Sequence, residues 1–598
     1  MSLAQWILVV LAAACAAGAV MAVIRLRASP WIALLLACLP VAAILCKDDL
    51  RIFSWHGFQH TGIVYRILAG DIPPTNPFFA GEPSHYPWGH HAVIAALVRV
   101  LDASPPTVYA LTNVAMLAAM LILLYRAAAL AGLDRVERLL GVVVAVYGVS
   151  AFSRGPLWLG LEAATHVTIV TRILPVEKFT QIGSNAAGVL CFALFLASAL
   201  RIVAGREGGR SAAWLGLFAA TLGAAFLYPI SWFPLVASCS VYGFLLLVTD
   251  PKGSWRTTAA FAAVLVSATL VAVPYLLEMQ SGNSETGFRG FTRARDLVDK
   301  TVTVASFLAL VGAVGSIYRG ELVRLARQAP RQVLLLAVST ATCLALYTAL
   351  HLMAYAEYKF LLTATLPLGL LAGPPLAALY RRMPAAAFGV VWLALIPAAH
   401  HGAELLLARF GPTERIRADG ALMRQTDPAR AALDDWIRRE TPADAVFVDS
   451  ELSIPTFAQR TVFALLDAGQ IPLRGGDTLH GWGTPTSYML YTGFGLPKDA
   501  IVRRYDITMR LLSRRYALPR AADLADLRRL AGTEHIYLIV RDSAAQRTPD
   551  PSLPFDPVYR ADRAQVYRLR PEPETAEGPR SGTGGLEPQA HPPGRLAR

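Results

Sequence analysis

Apolar stretches of about 17 to 22 residues recur along the first two thirds of this chain, and each is long enough to cross roughly 30 Å of hydrocarbon as a helix. They run at about 3–24, 30–46, 106–126, 138–152, 183–202, 211–228, 230–248, 257–277, 301–318, 332–352, 361–380 and 384–403. About twelve membrane-spanning helices are therefore expected. The balance of residues agrees. Of 598 residues, 55% are hydrophobic and only 16% charged, and the mean hydropathy is positive. A soluble chain of this length carries more charge, so the expected fold class is a polytopic α-helical membrane protein.

Arginine and lysine in short connections favour the cytoplasmic side and set the orientation. Arg25 and Arg27, Arg126 to Arg138, Arg201 to Arg210, Lys252 and Arg256, Arg319 to Arg331, and Arg381 with Arg382 fall in alternate connections. The complementary set then faces outward: 47–105, 153–182, the turn at Tyr228 and Pro229, 278–300, 351–360 and everything after about 404. These cytoplasmic arginines, set against anionic headgroups, account for much of the formal net charge of +13, so it carries no nucleic-acid signal. The six cysteines, Cys15, Cys38, Cys46, Cys191, Cys239 and Cys343, all lie in or at the ends of apolar runs. No disulfide framework or cysteine metal site is implied. The first run lacks a basic start and a small-residue cleavage site and is expected to be a retained helix.

From about 412 the composition becomes that of a soluble domain. Asp427-Pro428 suits an N-cap and first helical residue, opening the amphipathic ARAALDDWIRRE. AVFVDS, HIYLIVR and AQVYRLR read as short, mostly buried strands. The expected layout is a transmembrane domain over 1–404 with a long outer loop at 47–105, a small outer-face α/β domain over 405–570, and a disordered Pro-, Gly- and Glu-rich tail over 571–598.

The outer loop holds the unusual residues. Its opening, KDDLRIFSWHGFQH, places Asp48 and Asp49 directly after an apolar run, with His56 and His60 four apart on one face of an interfacial helix over 53–69. IPPTNPFF is held extended by its prolines, and HHAVIAALVRVL forms a second amphipathic segment. Five of the chain's 12 histidines, His56, His60, His85, His90 and His91, fall in this loop, which suggests convergence on one site. His90 and His91 cannot share one helix face, so one of them at most is expected at the site.

A carboxylate pair after an early span, a long outer loop with two juxtamembrane helices, many further spans and an outer α/β domain resemble the GT-C superfamily of integral-membrane glycosyltransferases. GDIPPTNPFFAGEPSHYPWGHH, AEYKF and ALDDWIRRETPADAVFVDS are similar to a bacterial branch of that superfamily. The resemblance implies transfer of a sugar from a polyprenyl-phosphate-linked donor to a glycan, glycolipid or protein acceptor on the outer face of a bacterial plasma membrane. Such a reaction needs a base for the acceptor hydroxyl and positive charge for the departing phosphate. Asp48 or Asp49 is the candidate base. Arg172, Lys178 and Lys359, with Arg289, Arg293 and Arg295, are the candidate cations, and Glu357 is placed beside them. His56, His60, His85, Tyr86 and His90 are candidates to line the substrate, with Trp88 as a further stacking surface. A divalent metal, Mg or Mn, held by Asp49, His56 and His60 is a further possibility.

Each feature has a plainer reading. The aspartates suit a solvated loop start, Glu177-Lys178 and Glu357-Lys359 suit structural ion pairs, and Tyr86 and Trp88 suit a headgroup belt. His480 and Trp482 lie in a Gly-rich stretch that serves equally as an acceptor cover or a plain loop. Two other protein classes share the layout, a transporter or lipid flippase and a non-catalytic envelope assembly subunit. A transporter would place ionisable residues mid-span and break paired helices. Here the polarity gathers on one side, which favours an enzyme.

Overall fold

A computed structural model describes residues 3–45, 52–53, 55–148, 174–205, 210–280, 288–352, 356–410, 423–424, 428–449, 454–464, 498–514, 516–541 and 546–571. Every apolar run expected from the sequence starts or lies within a helix. They are Leu3–Arg25, Pro30–Leu45, Pro105–Leu130, Arg135–Val143 continued by a π-helical turn Val144–Gly148, Asn185–Val203, Arg210–Leu227, Pro229–Thr249, Pro251–Gln280, Ala294–Ile317, Pro330–Ala349, Tyr358–Arg382 and Pro384–Phe410. Among the described residues, nine helices are long and apolar enough to cross a membrane by length and composition. The expected span at 332–352 ends early, because Leu350–Leu352 leaves the helix to pair antiparallel with Phe288–Phe291.

The helix Tyr358–Arg382 is the axis of the bundle. All but one residue from Lys359 to Leu379 is buried, as expected for a helix apolar on every side. Its Gly369 and Gly373 allow the backbone of Arg135–Val143 to approach. A Cβ at Gly373 would lie 2.3 Å from the Glu137 carbonyl, and one at Gly369 2.3 Å from the Ala145 Cα. Small residues spaced by four replace hydrophobic sorting as the means of close packing in lipid.

Basic and acidic groups close one end of the bundle. Asp134 caps Arg135–Val143 in a reciprocal capping box with Glu137. The buried Glu137 carboxylate meets Arg324 at 2.5 Å and Arg381 at 3.9 Å, and Arg381 also bonds Asp134. Lys359 and Arg381 stand at opposite ends of one 25-residue helix, about 35 Å apart along its axis. Lys359 and Arg381, read from the sequence on an outward and an inward connection, thus lie at opposite ends of the bundle's axial helix.

At the other end, two juxtamembrane helices, Trp55–Leu68 and Gly89–Leu101, form from the two predicted amphipathic segments. A five-stranded sheet docks on them. Its order is Thr461–Val462, Val446–Val448, Ile536–Arg541, Ala564–Leu569, Phe555–Ala561, with the first three strands parallel and the last two antiparallel. The helix Pro428–Glu440 and three of these strands are those expected. The two-residue strand Thr461–Val462, the strand Phe555–Ala561 and the helices Lys498–Leu512 and Ala521–Ala531 are additions.

The loop completes the sheet. Val462 donates to the Pro77 carbonyl (3.0 Å) and Ala80 to the Val462 carbonyl (3.1 Å), so residues 77–80 run along the open edge. Phe58, Phe78 and Phe79 enter the same apolar cluster as Val446, Val448 and Leu538. Arg504, 1% exposed, donates to Glu82 (2.9 Å), the Phe463 carbonyl (3.1 Å) and the Leu530 carbonyl (3.3 Å). Further upstream, Ile52–Phe53 pairs with Met423–Arg424. The predicted disordered tail lies outside the described residues, apart from its first residue, Pro571.

Candidate active site

The juxtamembrane helices present their histidines to each other. His60 Nδ1 lies 2.7 Å from His91 Nε2 and the two rings stack with centroids 5.0 Å apart. Tyr86 closes the pair edge-on, 5.4 Å from His60 and 5.8 Å from His91. His60 is buried, and its Nε2 faces the Gly183 backbone so closely that a Cβ there would lie 2.9 Å away. His90 turns the other way, its ring 5.7 Å from Tyr109. His90 and His91 thus have different neighbours, as the hundred-degree step between them requires, and both rings are buried because that step meets protein on both sides. Burial pushes His90 down to about 4. His91 is driven below the ordinary imidazole range by burial, and then by His60 and His90 beside it. His90 and His91 are therefore neutral at physiological pH.

A cationic cluster lies nearby. The short helix Pro175–Phe179 carries Glu177 and Lys178, both buried and 3.6 Å apart. Gln181 donates to Glu177 at 3.0 Å, and Asn113 donates to the Gln181 carbonyl at 2.8 Å. Thr180 bonds His401 at 3.0 Å, tying the same turn to Pro384–Phe410. Lys178 Nζ sits 5.4 Å from the Tyr358 ring centroid, and Lys359 Nζ sits 5.8 Å from the same ring and 5.2 Å from that of Tyr228. Two buried ammonium groups thus share one phenol, and both are held by the attraction of a cation to an aromatic face.

Glu357 serves a different cation from the one its sequence neighbour suggests. It pairs with Lys300 at 2.9 Å and bonds His351 at 3.3 Å and the Leu352 amide at 3.1 Å. Burial raises its carboxyl, but the His351 bond and the Lys300 charge outweigh this and hold it below the usual carboxylate range. Lys300 also donates to Thr292 (3.0 Å) and the Leu350 carbonyl (2.6 Å), and so clasps the small hairpin. Glu357 is therefore built into a support for the cationic end.

Of the other candidates, His85 is half-buried, and Arg293 is an exposed N-cap. Trp88 packs edge-on against Tyr275 at 5.5 Å. Asp48, Asp49, Arg172, His480 and Trp482 lie outside the described residues, as do the side chains of His56, Arg289 and Arg295. Among the described residues, no group of three or more His, Cys, Asp or Glu is arranged to hold a metal ion. His60, the one described member of the suggested ligand set, is engaged by His91 on one nitrogen and crowded by Gly183 at the other, a setting that fits a hydrogen-bond partner better than a ligand.

Sequence reasoning missed Lys300, His351, Tyr358, Tyr228 and Asn113. No spacing rule links Lys300 to Glu357. Tyr358, however, lies inside the AEYKF stretch that the resemblance had singled out.

No protein-family model matches the chain, and no curated protein matches it. Solved structures do. ArnT from Cupriavidus metallidurans, in the apo state and bound to undecaprenyl phosphate, is 12% identical with a TM-score of 0.50 in both cases, over 90% of this chain and 97% and 98% of the two matched chains. The arabinofuranosyltransferase AftD from Mycobacteria is 15% identical with a TM-score of 0.42, over 90% of this chain and 40% of that one. The chain shares the fold of ArnT over 90% of its length.

Proposed function

We propose that this protein is a membrane glycosyltransferase that moves a sugar from a polyprenyl-phosphate-linked donor to an acceptor on the extracytoplasmic face of a bacterial plasma membrane. The observation that carries the reading is the pair Lys178 and Lys359, buried together around Tyr358 where the helices end beneath the outer loop. With Glu177 the three named charges sum to one positive, opposite in sign to a lipid phosphate. Cations buried among apolar helices usually have a partner or a task, so two of them side by side favour an anionic ligand. That ArnT binds undecaprenyl phosphate on the same fold supports this choice.

In the proposed reaction the acceptor hydroxyl loses its proton to Asp48 or Asp49 as its oxygen bonds to the anomeric carbon. The bond from that carbon to the phosphate oxygen breaks, and the electron pair leaves with the lipid phosphate, whose charge Lys178 and Lys359 stabilise. No step is routed through a metal. The outer sheet domain, fixed to the loop by residues 77–80 and Arg504, would roof the acceptor side.

Transfer of radiolabelled sugar from a panel of polyprenyl-phosphate sugars by the full chain in lipid nanodiscs tests this reading. Activity lost in Asp48→Asn or Asp49→Asn, with folding unchanged, identifies the essential carboxylate. Wild-type protein inert with every donor would favour a transporter or assembly subunit instead.

A further inference from the structure

Beside the lysine cluster lies a group of buried polar atoms that the proposed chemistry does not use. His90 comes from Gly89–Leu101, and Tyr109 and Asn113 come from Pro105–Leu130. His90 is 3% exposed, and Tyr109 and Asn113 are fully buried. The His90 and Tyr109 rings are 5.7 Å apart. Tyr109 and Asn113, four residues apart on one helix, share a face. Each carries an atom with no hydrogen-bond partner: His90 Nδ1, Tyr109 Oη and Asn113 Oδ1. Buried polar groups in folded proteins are nearly always paired, so three such atoms on neighbouring side chains point to a polar ligand. The group adjoins the cationic turn, because the other amide atom of Asn113 bonds the Gln181 carbonyl, and the Gln181 side chain bonds Glu177 beside Lys178.

The chemistry of the three atoms limits what fits. Asn113 Oδ1 only accepts, Tyr109 Oη donates or accepts, and His90 Nδ1 does either according to tautomer. Hydroxyl groups, which both donate and accept, satisfy all three. A sugar ammonium would call for a carboxylate here and a sugar carboxylate for a cation, and these three residues supply neither; burial keeps the His90 imidazole neutral.

Resting on the glycosyltransferase reading, we propose that His90, Tyr109 and Asn113 form the subsite for the donor sugar's hydroxyl groups, and that the sugar transferred is an uncharged, hydroxyl-rich ring. The lipid phosphate is held by the lysines and the ring by these neutral atoms next to them.

The test is binding to the full chain in nanodiscs of four probes: undecaprenyl phosphate alone and polyprenyl phosphates carrying a neutral hexose, an amino sugar or a uronic acid. The neutral donor is expected to bind most tightly. In Tyr109→Phe, which removes only the hydroxyl, its advantage over bare undecaprenyl phosphate shrinks by about 2- to 12-fold, the worth of one neutral hydrogen bond, while the bare lipid binds as before. If the charged sugars bind more tightly, or Tyr109→Phe leaves the advantage intact, the inference falls and the lipid-phosphate reading stands. If wild type fails to bind bare undecaprenyl phosphate, that reading falls and takes the inference with it. Should Tyr109→Phe lose its fold, the order of the four probes on wild type still decides.

Discussion

Replacing Arg504 with leucine should loosen the outer sheet from the loop beneath it. The guanidinium is 1% exposed and makes three hydrogen bonds, at 2.9, 3.1 and 3.3 Å, that join the loop residue Glu82 to two carbonyls of the sheet domain. Its loss leaves both carbonyls and the carboxylate short of a donor. Breaking a buried charged pair costs about 3–5 kcal/mol. Glu82 keeps 23% of its side-chain exposure and recovers some hydration, so the lower end, about 3 kcal/mol, applies. Two amides report on the junction, those of Ala80 and Val462, because each bonds across it. If local opening governs their hydrogen exchange, about 3 kcal/mol accelerates them about 100-fold. Amides within Tyr358–Arg382 should keep their rates. Glu82→Gln, which keeps a neutral acceptor, should give a smaller effect of about 1 kcal/mol. Exchange of Ala80 and Val462 altered less than about fivefold in Arg504→Leu would refute the assignment of Arg504 as the clasp.

Other expectations can be checked independently. Lys178→Met should weaken binding of undecaprenyl phosphate about tenfold in nanodiscs, as expected when one of two charge-assisted contacts is removed. Stability should be full above about pH 6.5 and fall as the pH drops toward 4, because the unfolded chain takes up a proton that the buried His90, pushed down to about 4, refuses. That single group is worth about 3 kcal/mol across the window, and His90→Gln should flatten the apparent melting temperature against pH over the same range. Gly183→Ala places a methyl 2.9 Å from His60 Nε2. The ring has nowhere to retreat while it bonds His91, so transfer activity should drop at unchanged expression.

The bundle was legible because its signal is length: an apolar run of about twenty residues has few other fates in a membrane. The outer domain was partly legible. Lys498–Leu512 and Ala521–Ala531 carry helical periodicity that could have been read, as in Leu524, Leu527 and Ala531. The strand Thr461–Val462 could not, since two residues hold no period. At the site, sequence spacing brought His56 and His60 onto one helix but gave no hint that His60 bonds His91, a partner on another helix. Glu357 illustrates the limit most plainly. Proximity in sequence offered Lys359, yet Lys300 is the partner, because the hairpin Phe288–Phe291 with Leu350–Leu352 carries the chain around to it.

The bond between Glu82 and Arg504 also counts membrane crossings. The two residues stand 422 positions apart, and two groups in contact must lie on the same face of the bilayer, so the chain between them crosses an even number of times. Among the described residues, the nine helices that are long and apolar enough to cross all fall in that interval. Nine is odd. Ten apolar runs are expected from the sequence in this interval, and the tenth, at 138–152, which opens in Arg135–Val143 and its π-helical turn to Gly148 and packs against the axial helix by way of Gly369 and Gly373, would make the number even. The clasp is a parity check on insertion: a chain that missed one span would leave Glu82 and Arg504 on opposite sides of the membrane, and its sheet domain would lack the loop that completes its sheet.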